Sequence, residues 1–423
     1  MVGIVALAVN LRASIVSLPP VFPELSASLH LSDAALSVLA SVPVFCFGVF
    51  CIVAAPLSRR FGEERVLEVA LVVLVAGLLL RGALPGVMLF PGTALAAAAI
   101  ALMNVLLPSL VKRRAPGRAG LLIGCYLLSL SAGSILASLI AVPVYRASGG
   151  SARLILGVWA VPAIVATVAW LPQWRYRTKP PGPATPPLAG PAPAAGPAAG
   201  PSRAAAPPGA VSAEAGPGPG RAAGLKVYRQ VLTWQVTVFM GLQSLTFYAA
   251  LSWLPVLIRD RGASAVHAGA MLALMGLGGA ISVLLIPVLA HRAPSQRSLT
   301  AGTTAASAVG LAGVWFAPLA ECPAWILVLG LGQGAGLSLA IYFTMARAPD
   351  PVTALSLSAF AQGTGYLVAA TGPLFVGFLH TATGSWTVPI VALQAVTGGQ
   401  LAAGLQAARA RTLHRPGPTA AWQ

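Results

Sequence analysis

The run AALSVLASVPVFCFGVFCIVAAPLSRR, from Ala34 to Arg60, holds no charged side chain before Arg59. Coiled as an α-helix at about 1.5 Å per residue, it is long enough to cross the ~30 Å hydrocarbon core of a bilayer. A helix on the surface of a soluble protein would show a polar face at a period of about 3.6 residues, whereas this run is apolar on every face. A membrane-spanning β-strand would alternate over about ten residues instead. The stretch therefore reads as a transmembrane helix, and the arginine pair that closes it marks a water-facing end.

Runs of the same kind recur on both sides of it. They predict spans at Val2–Phe22, Ala34–Leu57, Val66–Leu84, Val87–Val111, Ala119–Val144 and Leu154–Leu171, and again at Leu232–Ile258, Ala265–Ala290, Leu299–Leu319, Ala324–Ala346, Ala354–Leu379 and Val388–Leu405. The expected fold class is an all-α membrane protein of twelve transmembrane helices in two pseudo-symmetric six-helix bundles, residues 1–172 and 232–408. Between them, 173–231 is dominated by Pro, Ala and Gly with Glu214 as its one acid, the composition of a disordered cytoplasmic linker. Residues 409–423 form a cytoplasmic tail. Met1 abuts the first apolar run, and Asn10 and Arg12 interrupt what would be a signal-peptide core, so this segment is expected to be a retained helix.

Composition agrees: 57% of residues are hydrophobic and 8% charged, with a mean hydropathy of +0.83, too little charge to cover a soluble protein of this length. A net charge of +17 would suggest nucleic acid in a soluble chain. Here the basic residues lie in short loops between apolar runs, so the expected contact is with anionic lipid headgroups and no nucleic-acid partner is implied. With the N-terminus cytoplasmic, and the linker set aside, thirteen Lys and Arg fall on the inner side against four outside: Arg146, Arg153, Arg259 and Arg261. That asymmetry places the chain in the cytoplasmic (inner) membrane with both ends inside. The four cysteines lack metal-ligand spacing and no Gly-x-x-x-x-Gly-Lys-Ser/Thr loop occurs, so neither a cofactor nor an ATP-driven pump is implied.

The halves echo one another. Leu57-Ser58-Arg59-Arg60 and Leu289-Ala290-His291-Arg292 lie 232 residues apart, Ala115-Pro116 and Ala348-Pro349 lie 233 apart, and Gly149 and Gly384 lie 235 apart. A common offset argues for a duplicated six-helix unit with its substrate site near mid-membrane, between the halves.

Several motifs carry a resemblance. Asn10-Leu-Arg12-Ala-Ser-Ile, Ser41-Val-Pro43-Val-Phe-Cys-Phe-Gly48 and Leu107-Pro108-Ser-Leu-Val-Lys112-Arg113 in the first half resemble the cyanate permease family of the major facilitator superfamily. So do Met240-Gly241-Leu-Gln243-Ser, Trp253-Leu-Pro255, Phe360-Ala-Gln362-Gly363-Thr-Gly365-Tyr366 and Gly372-Pro373 in the second. The resemblance implies a secondary transporter working by alternating access, with cargoes in the family that include cyanate and nitroimidazole compounds. The superfamily's usual Gly-x-Leu-x-Asp-Arg-x-Gly loop after the second span is here Ala55-Pro56-Leu57-Ser58-Arg59-Arg60-Phe61-Gly62. Arg59 replaces the acid, so an inner gate built on Arg59, Arg60, His291 and Arg292 would need Glu63 or Glu64 as its carboxylate.

Arg12 is the candidate that carries the chemistry. An arginine near the centre of a span costs about 2.5–3.5 kcal/mol to insert, so it is expected to face a cavity or a partner. None of the nine acids falls in the middle third of any predicted span. The guanidinium is then satisfied by a transported anion, bidentately if that anion is a carboxylate, or by carbonyls of a helix broken near Pro19-Pro20. Arg81, near the outer end of the third span, is expected to snorkel to the headgroups. Asn10, Asn104, Gln243, Tyr248, Gln333, Gln362 and Tyr366 supply neutral hydrogen-bonding groups suited to a small polar solute, and equally to joining helices. The expected function is transport of a small, cyanate-like organic anion or similar polar solute by a monomer, with any proton coupling carried by the substrate's own ionisation. Export of drug-like or neutral heterocyclic compounds is the alternative, and a polytopic membrane enzyme is disfavoured by the lack of a buried His/Asp/Glu cluster.

Overall fold

The computed structural model describes residues 2–114, 118–170, 228–293 and 295–413, and every regular element among them is helical. The first half holds α1 (Val2–Val16), α2 (Phe22–Leu29), α3 (Asp33–Phe61), α4 (Glu63–Ala83), α5 (Pro85–Arg114), α6 (Ala119–Ala147), α7 (Ala152–Gly157) and α8 (Ala160–Trp170). The second holds α9 (Val231–Asp260), α10 (Ala265–Arg292), α11 (Gln296–Phe316), α12 (Cys322–Ala346), α13 (Pro351–Ala369), α14 (Thr371–Thr383) and α15 (Thr387–Ala407). The expected linker, 173–231, lies outside the described residues except for its last four positions, as do the last ten residues of the expected tail.

Eleven helical segments among the described residues are long and apolar enough to cross a membrane. The twelfth crossing is the first one, made in pieces: α1, a 3-10 turn at Pro19–Val21, and α2. Neither Pro19 nor Pro20 has an amide hydrogen to continue the ladder, so the helix must break there. The sixth crossing breaks between α7 and α8, and the eleventh at Ala370, just ahead of Gly372-Pro373. Each break leaves carbonyls without intrahelical donors.

The duplicated unit shows in the caps. Ser32 and Ser264, 232 residues apart, accept hydrogen bonds from the amides of Ala35 and His267, each at 3.2 Å, and start α3 and α10. Gly149 and Gly384, at φ 67° and 63°, end the fifth and eleventh crossings in the left-handed region that a Cβ disfavours. Within the first half α4 packs on α5, α1 on α6 and α8, and α3 on α5; within the second, α10 and α11 pack on α12, and α9 on α13 and α15. The halves meet where α3 lies against α13 and α14, and α6 against α10. Val161, Val165 and Val168 form an exposed stripe along one face of α8. Such a stripe is costly in water and neutral against lipid tails.

An even number of crossings brings both described chain ends to one face, here named the terminal face. The opposite side is the distal face. At the terminal face the amide of Leu413 donates to the carbonyl of Arg347 at 2.8 Å, returning the chain to the end of α12.

Candidate functional site

A cavity of about 450 Å³ lies between the two halves. Both halves wall it: Arg12 of α1, Phe47 and Cys51 of α3, Asn104 of α5 and Tyr126 of α6 face Phe247 and Tyr248 of α9, Gln333 of α12, and Gln362 and Tyr366 of α13. On α6 the lining runs from Ser134 toward Tyr126, and on α12 from Gln333 to Ile341, so the cavity extends from mid-helix toward the terminal face.

Among the described residues Arg12 is the sole charged side chain on this wall. Among the described residues no carboxylate lies within ion-pairing distance of it, and its guanidinium carbon sits 5.9 Å from the centroid of the Phe247 ring. Tyr126, Tyr248 and Tyr366 share that wall with it. Tyr248 and Tyr366 pack edge to face at 6.2 Å, and Phe47 stands 6.0 Å from Tyr366 and 6.4 Å from Tyr248. The Tyr126 hydroxyl donates to Asn104 Oδ1 at 2.9 Å, and Gln362 Nε2 donates to Ser358 Oγ at 2.8 Å.

Six of the eight polar candidates thus converge on the cavity: Arg12, Asn104, Tyr248, Gln333, Gln362 and Tyr366. Two do not. Gln243 is buried one layer back, its amide nitrogen donating to the Gln333 carbonyl at 2.9 Å and lying 3.4 Å from Gln333 Oε1. It braces a lining residue. Asn10, on the same helix as Arg12, is 1% exposed and off the wall. Sequence reasoning missed Tyr126, Phe47 and Phe247. Tyr126 carries the same polar phenol as Tyr248 and Tyr366 and was legible by residue type, whereas an apolar ring inside an apolar helix gives no such signal.

Arg81 does not snorkel. It is 1% exposed, with Nε donating to the carbonyl of Leu156 and Nη2 to that of Ser14, both at 3.1 Å. Those carbonyls belong to the last turns of α7 and α1, where the sixth and first crossings break. The role weighed for Arg12, satisfying carbonyls at the Pro19-Pro20 break, is filled by Arg81, and that leaves the Arg12 guanidinium to the cavity.

The distal face is shut between the halves. Glu24 of α2 takes Arg259 Nη1 on both carboxylate oxygens at 2.8 and 2.7 Å, and the Phe22 ring meets Trp253 at 6.4 Å. His380 stacks on Trp386 at 3.9 Å, while Trp386 Nε1 donates to Asp260 at 2.8 Å. At the terminal face Arg59 and Arg60 end α3, and His291 and Arg292 end α10; all four are exposed, with no ion pair among the described residues. Glu63 and Glu64 instead approach Arg113 of their own half at 3.3 and 3.7 Å. The cavity extends toward this face.

Residues 3–373 match the Major Facilitator Superfamily. The chain is 34% identical over 410 residues to the uncharacterized transporter YycB of Bacillus subtilis, spanning 97% of this chain and 93% of that protein. It is 33% identical to the 2-nitroimidazole transporter of Escherichia coli K12, over 92% and 90% of the two chains, and 26% identical to the cyanate transport protein CynX of the same organism, over 90% of each. Among solved structures, a bacterial homologue of the human lysosomal transporter Spinster aligns with a TM-score of 0.74 at 13% identity, over 97% of this chain and 96% of the other. This chain belongs to the Major Facilitator Superfamily and is a secondary transporter, not an enzyme, similar to the cyanate and nitroimidazole transporters within it.

Proposed function

We propose that the protein moves a small organic anion, or a polar solute of similar size, across the cytoplasmic membrane, with Arg12 as its principal contact and both chain ends in the cytoplasm. One observation carries this reading: the cavity wall has a single charge, it is positive, and among the described residues no acid neutralises it. A guanidinium held at mid-membrane without a carboxylate is stabilised when an anion arrives, and it offers that anion a planar fork of donors. Asn104, Gln362, Tyr248 and Tyr366 supply hydrogen bonds around it, Gln243 acts through Gln333, and Asn10 supports α1 from behind. Arg59, Arg60, His291 and Arg292, at the ends of α3 and α10, form the cytoplasmic gate, with Glu63 or Glu64 as the carboxylate it needs.

Anion uptake against an inside-negative potential costs about 2.3 kcal/mol per charge per 100 mV. A proton carried on the substrate itself offsets this without an intramembrane carboxylate. Export of neutral heterocycles is the second reading, favoured by the likeness to the 2-nitroimidazole transporter. Uptake into proteoliposomes of cyanate, small carboxylates and 2-nitroimidazole, with imposed pH and voltage gradients, separates the two. A charge-assisted hydrogen bond contributes about 1.5–3 kcal/mol, so Arg12→Gln should weaken anion binding by roughly 10- to 150-fold, with Arg12→Lys between. Unchanged anion uptake by well-folded Arg12→Gln protein would sink the proposal.

A further inference from the structure

The wall around Arg12 says more than that the cargo is negative. Three of the chain's seven tyrosines, Tyr126, Tyr248 and Tyr366, converge there with Phe47 and Phe247, although aromatic residues make up 7% of the chain. The rings come from α3, α6, α9 and α13, so both halves contribute them. Phe47, Tyr248 and Tyr366 touch one another edge to face or tilted, at 6.0–6.4 Å, and Phe247 meets Tyr248 at 5.1 Å. This is a cluster that presents ring edges and faces to the space beside the guanidinium.

Cavity size points the same way. At about 450 Å³ the space falls within the ~300–1,000 Å³ range of pockets for organic ligands, and a triatomic anion would leave most of it to water. A single positive charge matches one negative charge, and a dianion would bring a second charge that no group on the wall offsets. Among the described residues neither the Tyr248 nor the Tyr366 hydroxyl donates to a protein acceptor, which leaves both phenols for a substituent on the cargo.

We infer that the cavity selects a planar, aromatic monoanion: an arene carboxylate, or a heteroaromatic acid of similar size, with its charge on Arg12 and its ring among Phe47, Phe247, Tyr248 and Tyr366. This rests on the anion reading above and narrows it. Saturated rings of the same size lack the flat π surface that edge-to-face packing rewards.

The test is calorimetric binding to the purified full-length protein of benzoate, cyclohexanecarboxylate, benzamide, terephthalate and cyanate. Benzoate should bind about three- to tenfold more tightly than cyclohexanecarboxylate, the increment one ring-to-ring contact supplies, with benzamide and terephthalate weaker than benzoate. Arg12→Gln should lose both monocarboxylates together, and Phe247→Leu should bring their ratio toward one while carboxylate binding survives. Equal affinity of the two monocarboxylates in the wild-type protein, both still dependent on Arg12, overturns the aromatic inference and leaves the anion reading standing. Benzamide bound as tightly as benzoate, with Arg12→Gln changing neither, overturns the anion reading and this inference with it. Binding of cyanate alone, or of none of the five, overturns the inference as well.

Discussion

Arg81 and Arg347 show how backbone carbonyls can satisfy a buried arginine. Each spreads its planar fork over carbonyls that a helix end has left without donors. Arg81 joins the last turns of α1 and α7, and Arg347 reaches the carbonyls of Ala407 and Ala408 at 2.9 and 3.2 Å, at the end of α15. Arg12 is built differently, with an aromatic ring at 5.9 Å and a cavity before it. Because Arg81 holds the Ser14 carbonyl, two residues beyond Arg12, it ties down the helix end next to the arginine that lines the cavity. Arg81→Lys keeps a charge but cannot serve both carbonyls, and a buried acceptor left unpaired costs about 1–3 kcal/mol. The variant should therefore melt at a lower temperature in detergent than the wild type. Unaltered melting would show that water serves these carbonyls as well as the guanidinium does. All three arginines looked alike in sequence, as single cations within or at the edge of apolar runs, because what separates them is which carbonyls the folded chain brings within reach.

At the scale of helices, the distal closure rests on parts no single half contains. Glu24 of α2 and Arg259 of α9 are 235 positions apart in the chain and form a two-oxygen ion pair between the halves, each side chain about a fifth exposed. Nearby, α3 and α14 approach so closely at Gly377 that a Cβ there would collide with the Ser37 hydroxyl and crowd the Trp253 ring. A glycine is what allows this approach. An ion pair of this exposure contributes on the order of 1 kcal/mol to the state that contains it, enough to change a two-state population about fivefold. Glu24→Arg should therefore shift the protein toward the state open on the distal face, read as a longer distance between spin labels placed on that face of each half. The reversed pair, Glu24→Arg with Arg259→Glu, should restore the wild-type distribution. Failure of the reversed pair to do so would mean that Gly377 and the Trp253 and Trp386 rings hold the closure without the charges.

For the whole molecule, the cationic bias is the basis of the proposed orientation, and the fold gives two of its exceptions partners. Of the four arginines expected outside, Arg259 is engaged with Glu24, and Arg261 caps α11 by donating to the carbonyls of Val314 and Ala317. Both are engaged by partners within the fold. A membrane-impermeant thiol reagent added to intact cells should then label Ala382→Cys, exposed on the distal face, and spare Thr412→Cys, exposed on the terminal face. Wild-type protein is the control, since its four cysteines are free. The opposite pattern would invert the orientation and with it the direction in which the cavity opens.

The number of crossings, their repeat and the expectation that Arg12 faces a cavity follow from the sequence alone, because lipid demands long uninterrupted apolar helices and makes every charge within them conspicuous. Residue type also marked Asn104, Tyr248, Gln362 and Tyr366 as polar groups at membrane depth. Which of the polar groups face the cavity was decided only by tertiary packing: it turned Gln243 onto Gln333, buried Arg81 on two broken helices, and gathered Phe47 and Phe247 around a cation. Hydropathy records how readily a side chain leaves water, whereas its rotation about the helix axis is set by neighbours on other helices, far away in the chain, and no local pattern encodes them.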